Sequence, residues 1–174
     1  MAVSVEAFMP DAYLAGTFAG TSAALREQLD QGSSVELSDV TLVPLVGMAE
    51  GIAEHAPVGS MTPGDLCMAA LPVDPDAPHI HRVYYTVDLG LGPYSVVGDM
   101  AMLPGFDPGR ALTRPATEFV ELFGAEVRIA TPSEEIVQAY DHLSVNRFAV
   151  ERVSCEVDVT FWFPGATQEL PAEE

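Results

Sequence analysis

The 174-residue chain contains no lysine. Its seven basic residues are all arginines, and they face 26 acidic residues, giving a formal net charge of −19. Affinity for nucleic acid comes mainly from Lys and Arg neutralising phosphates. A chain this acidic repels a phosphate backbone, and an anionic membrane surface too. The balance suits a cationic partner or the basic face of another protein, and it equally suits simple solubility. Cysteine is also scarce. Cys67 and Cys155 are the whole complement, too few for a disulfide framework, so two buried free thiols in a reducing cytoplasm are expected. No apolar run approaches the ~20 residues that a membrane helix needs. Residues 1–6 carry neither the basic start nor the apolar core of a secretory signal. A Gly-rich phosphate loop, a nucleophile elbow, a metal-binding Cys pair and a dinucleotide fingerprint are all missing from the sequence. These absences predict a cytoplasmic protein without a cofactor and favour a non-catalytic role over an enzyme, leaving the enzyme question open.

What the chain does have is apolar content and repetition. Hydrophobic residues make up 48% of it and charged residues 19%, which predicts a packed core rather than disorder. Three blocks recur in order. Tyr13 to Ala19, around Gly16, matches Ser95 to Ala101, around Gly98. Val35-Glu36-Leu37 matches Val120-Glu121-Leu122. Asp65 to Val73 matches His142 to Val150 in apolar pattern. The expected architecture is mainly β: two tandem small β-barrel-like repeats, each with a short helix. The first repeat spans 1–73, a linker 74–81, the second repeat 82–163 with an extra C-terminal strand, and an acidic tail 164–174.

Within the repeats, β-branched and aromatic runs predict strands at Val3–Phe8, Tyr13–Ala19, Ser34–Leu45, Leu66–Val73, Val83–Leu89, Tyr94–Leu103, Glu118–Ala130 and Leu143–Val153. Mid-strand Gly16 and Gly98 mark bulges or bends. Ser22–Gln31 reads as a helix with Thr21 or Ser22 as N-cap and Gly32 as the stop. A shorter helical turn is expected at Asp107–Thr113. Met48–His55 and Pro132–Tyr140 also read as helices, the latter from the capping-box spacing of Thr131 and Glu134. Glu156–Phe163 alternates strictly, which predicts a final strand with Val157, Val159, Phe161 and Phe163 on one face.

Three features together resemble the Sm-like small β-barrel. They are Val96-Val97-Gly98-Asp99-Met100, the strand from Phe119 to Val127, and Leu143-Ser144-Val145-Asn146-Arg147-Phe148-Ala149-Val150. The tandem arrangement is similar to that of uncharacterised bacterial proteins whose strands end in a Val-Asn-Arg step. The resemblance implies barrels that pair through edge strands. Sm-like proteins bind RNA through Asp and Asn in the loop after the second strand and a later Arg-Gly step. This chain offers Asp107 and Asn146-Arg147, without the loop Asn or the Gly, and Met68-Ala69-Ala70 stands where the first repeat would need its basic step. The RNA site is therefore expected to be absent.

Two groups of residues are candidates for function. Phe161, Trp162 and Phe163 lie on the apolar final strand and are candidates for binding a partner, with Trp162 turned outward. His79 and His81 alternate beside Asp74 and Asp76, so in an extended segment both imidazoles point one way. His79, His81 and Asp76 are thus a candidate metal site, to which His55 or His142 would add only if the fold brought them near. Glu50, Glu54 and His55, at helical spacing, read as a solvated face. The expected function is that of a non-catalytic accessory or assembly protein that self-associates or docks on a partner protein, without nucleic acid or membrane. The alternative is a small metal-binding protein or metal-dependent enzyme using His79 and His81. An acidic mimic of nucleic acid is a third reading.

Overall fold

The computed structural model describes residues 1–48, 50–73, 82–102 and 117–170. His79, His81 and Asp76, the rest of the acidic linker and the helical turn expected at Asp107–Thr113 lie outside the described residues.

The protein is mainly β, as expected. The strands are β1 (Val3–Phe8), β2 (Ala12–Phe18), β3 (Val35–Pro44), β4 (Glu54–Met61), β5 (Met68–Ala70), β6 (Val83–Leu91), β7 (Tyr94–Met102), β8 (Phe119–Ala130), β9 (Glu135–Asn146), β10 (Arg152–Ser154) and β11 (Thr167–Glu169). All eleven belong to one open sheet, in the order β11-β10-β6-β7-β8-β9-β5-β1-β2-β3-β4. Strands β5-β1-β2-β3-β4 of the first half and β10-β6-β7-β8-β9 of the second therefore lie in the same relative order.

The register carries the equivalence to single residues. Val5 pairs with Gly16 as Val87 pairs with Gly98. Between β2 and β3 the ladder shifts, so that Asp39 and Val40 stand opposite Gly16. Gly124 and Ala125 stand opposite Gly98 in the same way. Asp39 (φ 51°) and Gly124 (φ 56°) both take the left-handed conformation that opens such a bulge. The glycines facing the bulges are required by space. A Cβ on Gly16 would lie 3.2 Å from Leu37 Cβ, and one on Gly98 would lie 3.2 Å from Ala125 Cβ.

The third sequence block needs correction. The strand that matches β5 is β10, each antiparallel to the first strand of its half. Met68 then corresponds to Arg152, and Asp65 to Val73 does not correspond to His142 to Val150. Met61 and Val145 are matched instead, standing opposite Val35 and Val120 respectively. Apolar pattern alone misplaced this block, because buried strand ends look alike whichever strand they close.

Helix α1 (Ser22–Asp30) forms as the sequence predicts. Thr21 Oγ1 accepts from Ala24 N at 3.1 Å, and Gly32 (φ 69°) follows the end. Leu25 and Leu29, four residues apart, bury one face. Among the described residues, the helices expected at Met48–His55 and Pro132–Tyr140 do not form. Thr131 and Glu134 close a hairpin turn, with Thr131 Oγ1 accepting from Glu134 N at 3.1 Å and donating to Glu134 O at 2.7 Å. The hydroxyl-to-amide bond of a capping box serves equally in a turn, and β9 starts directly afterwards. In place of the helix at Met48–His55 stand turns that follow a 3-10 turn at Leu45–Gly47, and then the start of strand β4, which the sequence did not reveal.

The expected final strand at Glu156–Phe163 is a succession of turns. Val159 and Phe163 are fully buried while Val157 and Phe161 are half-buried, so the four do not share one strand face. Within the acidic tail Thr167–Glu169 forms β11, parallel to β10.

Two apolar clusters fill the structure. One gathers the interior of the second half together with Phe8, Met68 and Ala70 of the first. The other gathers the first half and α1, together with Phe119 of the second. The three-residue strand β5 serves both, sending Met68 and Ala70 to one and Ala69 to the other.

Candidate functional site

Among the described residues, the buried polar side chains His142, Ser144 and Asn146 gather where the two halves meet. β9 is a twelve-residue strand, and its last turns of pleat are buried. Side chains two apart on a strand share a face, so His142, Ser144 and Asn146 line one face of β9, with His142 reached by Arg26 of α1. Glu121 stands opposite Ser144 on β8. The Ser144 hydroxyl lies 3.0 and 3.1 Å from the two Glu121 oxygens. His142 Nε2 makes a close contact with Glu121 Oε2. Arg26, from α1 of the first half, reaches across with Nη2 3.4 Å from His142 Nδ1 and Nε 3.5 Å from Glu121 Oε1. The guanidinium carries only donors, so Nδ1 is the ring nitrogen turned to Arg26 and Nε2 the one turned to Glu121. Asn146 completes the row, donating to Leu66 O at 3.0 Å and accepting from Phe148 N at 3.0 Å. Asp30, one turn beyond Arg26, is held above the usual carboxylate range by burial and then by the Glu121 charge.

This arrangement ties elements together and has no catalytic geometry. A nucleophilic serine needs a base at its oxygen. Here the histidine and the serine both turn to the same carboxylate, and Ser144 is 1% exposed. A second tie lies nearby. Glu6 accepts from Tyr13 and lies 3.3 Å from the Tyr140 hydroxyl. The Phe8 ring packs against Tyr13, Tyr94 and Tyr140, with centroids at 5.3, 5.6 and 6.0 Å. Burial, followed by the Glu6 carboxylate, pushes the Tyr13 and Tyr140 phenols up, so both stay protonated donors.

The partner candidates of the C-terminal segment divide by burial. Phe163 is fully enclosed in the core with Val159. Phe161 and Trp162 are half-buried, and the Trp162 carbonyl accepts from Arg147 Nη1 at 3.3 Å. Of the additional histidines, His55 sits on exposed β4 beside Thr41 Oγ1 at 3.0 Å, and His142 belongs to the Glu121 tie. Among the described residues no three His, Cys, Asp or Glu side chains gather as metal ligands. Glu54 and His55 are strand residues and Glu50 lies in a turn, so they form no helical face. An open groove of about 400 Å³ is lined by Gly92, Tyr94, Arg128, Glu135, Glu151 and Arg152. Both its arginines are already engaged, Arg128 with Glu126 at 2.8 Å and Arg152 with Glu169 at 3.3 Å.

The remaining feature is an edge. β4 is the outermost strand, and seven of its eight residues are exposed or half-exposed, with Val58 at 58%. Its counterpart β9 is flanked on both sides, by β8 and by β5. Met68 faces Val145 and Ala69 faces Ser144, while Asn146 N donates to Cys67 O at 2.9 Å. One sequence signal for such an edge was available. Pro57 cannot donate to a ladder, and proline within a strand is confined to edges and bulges.

These features define a single-sheet β protein whose halves are held by strand pairing. Among the described residues no helix is long and apolar enough to cross a membrane. Compared with family models, with curated proteins and with solved structures, the chain matches none.

Proposed function

We propose that the chain is a non-catalytic accessory or assembly protein, built from two tandem small barrel-like repeats, that docks on a protein partner or on itself through a sheet edge. The observation that carries this reading is the join between β5 and β9, where the molecule holds its own halves together by pairing one edge strand with another. β4 corresponds to β9 and offers its outer edge for the addition of a further strand. The Sm-like resemblance, with its pairing through edge strands, supports the same reading. The net charge of −19 favours a basic protein surface beside the edge and disfavours RNA.

The test is affinity capture from an extract of the native cells, by the wild-type chain and by Ser60→Pro, at physiological and at high salt. Proteins held by charge alone are lost at high salt. The expected result is a partner protein retained at high salt by the wild type and lost by Ser60→Pro. Identical capture by both chains would sink the reading.

A further inference from the structure

We propose that β11 is a detachable cap that prevents head-to-tail assembly of the chain, and that its release lets β10 of one copy pair with β4 of the next. The proposal rests on the edge-docking reading given above and names its partner and its control.

The two halves set out what belongs at each edge. β5 is flanked by β1 and β9, whereas β10 is flanked by β6 and β11. β11 thus occupies on β10 the side that β9 occupies on β5. The substitution is not like for like, because β9 runs antiparallel to β5 and β11 runs parallel to β10. At the opposite end, β9 carries β5 on its outer side, and β4 ends the sheet. One molecule therefore displays an acceptor edge of the β9 kind and covers its donor strand of the β5 kind. Two complementary edges on one chain generate a heterologous contact, which closes into rings or grows without limit. Covering one of them stops both.

β11 is held lightly. Thr167 N donates to Glu151 O at 2.9 Å. The Gln168 side chain clamps the segment before it, donating to Val157 O at 3.0 Å and accepting from Val159 N at 3.2 Å. Glu169 adds an exposed ion pair with Arg152, a type of contact that contributes little. Leu170 is 81% exposed. The firm anchors, Val159 and Phe163, come earlier in the chain and are fully buried. Gly165 (φ 85°) sits between anchor and cap. Residues 167–170 can thus lift while Ala166, packed against the core, and the anchors before it stay in place, the kind of local opening that few buried contacts permit.

The internal join also fixes the register of the intermolecular one. Arg152 of one copy falls opposite Met61 of the next, and Val153 opposite Ser60, as Met68 and Ala69 face Val145 and Ser144. Along β9 the amide of Asn146 points across the join, and alternation turns the amide of Ser144 the same way. Ser60 is the counterpart of Ser144, so its amide points away from β3. A proline there blocks docking without breaking the β3–β4 ladder.

The experiment is sedimentation velocity over a hundredfold range of concentration, with thermal unfolding followed by circular dichroism. The chains are the wild type, Ser60→Pro, Gln168→Pro, a chain ending after Gly165, and the double variant Ser60→Pro/Gln168→Pro. We expect wild type, Ser60→Pro and the double variant to sediment as monomers. Gln168→Pro and the shortened chain should at least double in mass as concentration rises. Folded, monomeric Gln168→Pro and shortened chains would overturn the proposal. So would assembly that survives Ser60→Pro. Loss of cooperative unfolding in both Gln168→Pro and the shortened chain would overturn it too, because a segment the fold depends on is not a cap. If these chains stay monomeric while Ser60→Pro still loses a captured partner, the cap fails and the edge reading stands. Capture unaffected by Ser60→Pro sinks the edge reading itself.

Discussion

The side-chain amide of Asn146 donates to the backbone carbonyl of Leu66 at 3.0 Å, bonding the end of β9 in the second half to the residues leading into β5 in the first. Asn146 is 3% exposed, and its oxygen is also used, by Phe148 N. Removing the amide leaves buried partners unsatisfied, at roughly 1–3 kcal/mol. Asn146→Ala should therefore lower the urea midpoint with an unchanged denaturant slope. A midpoint equal to that of the wild type would show that this bond does not hold the join.

The matched bulges predict opposite effects of two substitutions. Asp39 adopts φ 51° where the second half has Gly124 at φ 56°. A non-glycine residue in that region costs about 1 kcal/mol. Asp39→Gly should be neutral or stabilising, and Gly124→Ala should destabilise by about 1 kcal/mol. Chemical denaturation of the two variants checks the pair. Equal losses in both would mean that the bulges are not equivalent.

Cys67 should be inert in the folded protein. Burial, with the Glu151 charge adding to it, pushes its thiol up to about 11. At pH 8 roughly one molecule in a thousand then carries the reactive thiolate. Cys155 is raised as well, by burial. Mass spectrometry after iodoacetamide at pH 8 should find neither residue labelled in buffer and both labelled in denaturant. Fast labelling of Cys67 under native conditions would contradict the packing around β5.

Asp30 predicts a pH dependence. Its folded pKa is raised by burial and by Glu121. The folded state therefore binds the proton more tightly than the unfolded state does. The group costs stability once ionised, with the loss growing as pH rises through the carboxylate range. Asp30→Asn should raise the melting temperature at pH 7 and make no difference at pH 3. A gain that persists unchanged at pH 3 would assign the effect to something other than this charge.

Much of the fold was legible because its signals are local. The alternation of β6, β7 and β8, the capped helix α1 and the two mid-strand glycines all follow from neighbours in sequence. β4 was missed because an edge strand buries little and so shows little alternation, and Pro57 and Gly59 hide what remains. Pro132–Tyr140 misled because Thr131 and Glu134 make the same hydroxyl-to-amide bond in a turn as at a helix start. Glu156–Phe163 misled because Val159 and Phe163, four apart, also fit a run of turns. The Arg26–Glu121–His142 tie could not be read, since its members come from three elements brought together by pairing between halves. Phe163 was singled out because it lies on an alternating apolar segment, and in the fold its side chain fills the core.

Each half returns its fifth strand to its first, β5 to β1 and β10 to β6. A backbone cut placed between residues 73 and 82 therefore severs no ladder among the described strands. Yet neither piece is self-sufficient, because Phe8 and Met68 complete the core of the second half and Phe119 helps to complete that of the first. The molecule is thus organised as a split protein with its halves still joined. Two separately produced fragments should recover the full sheet only when mixed, and anything fused to them would be brought together by that recombination.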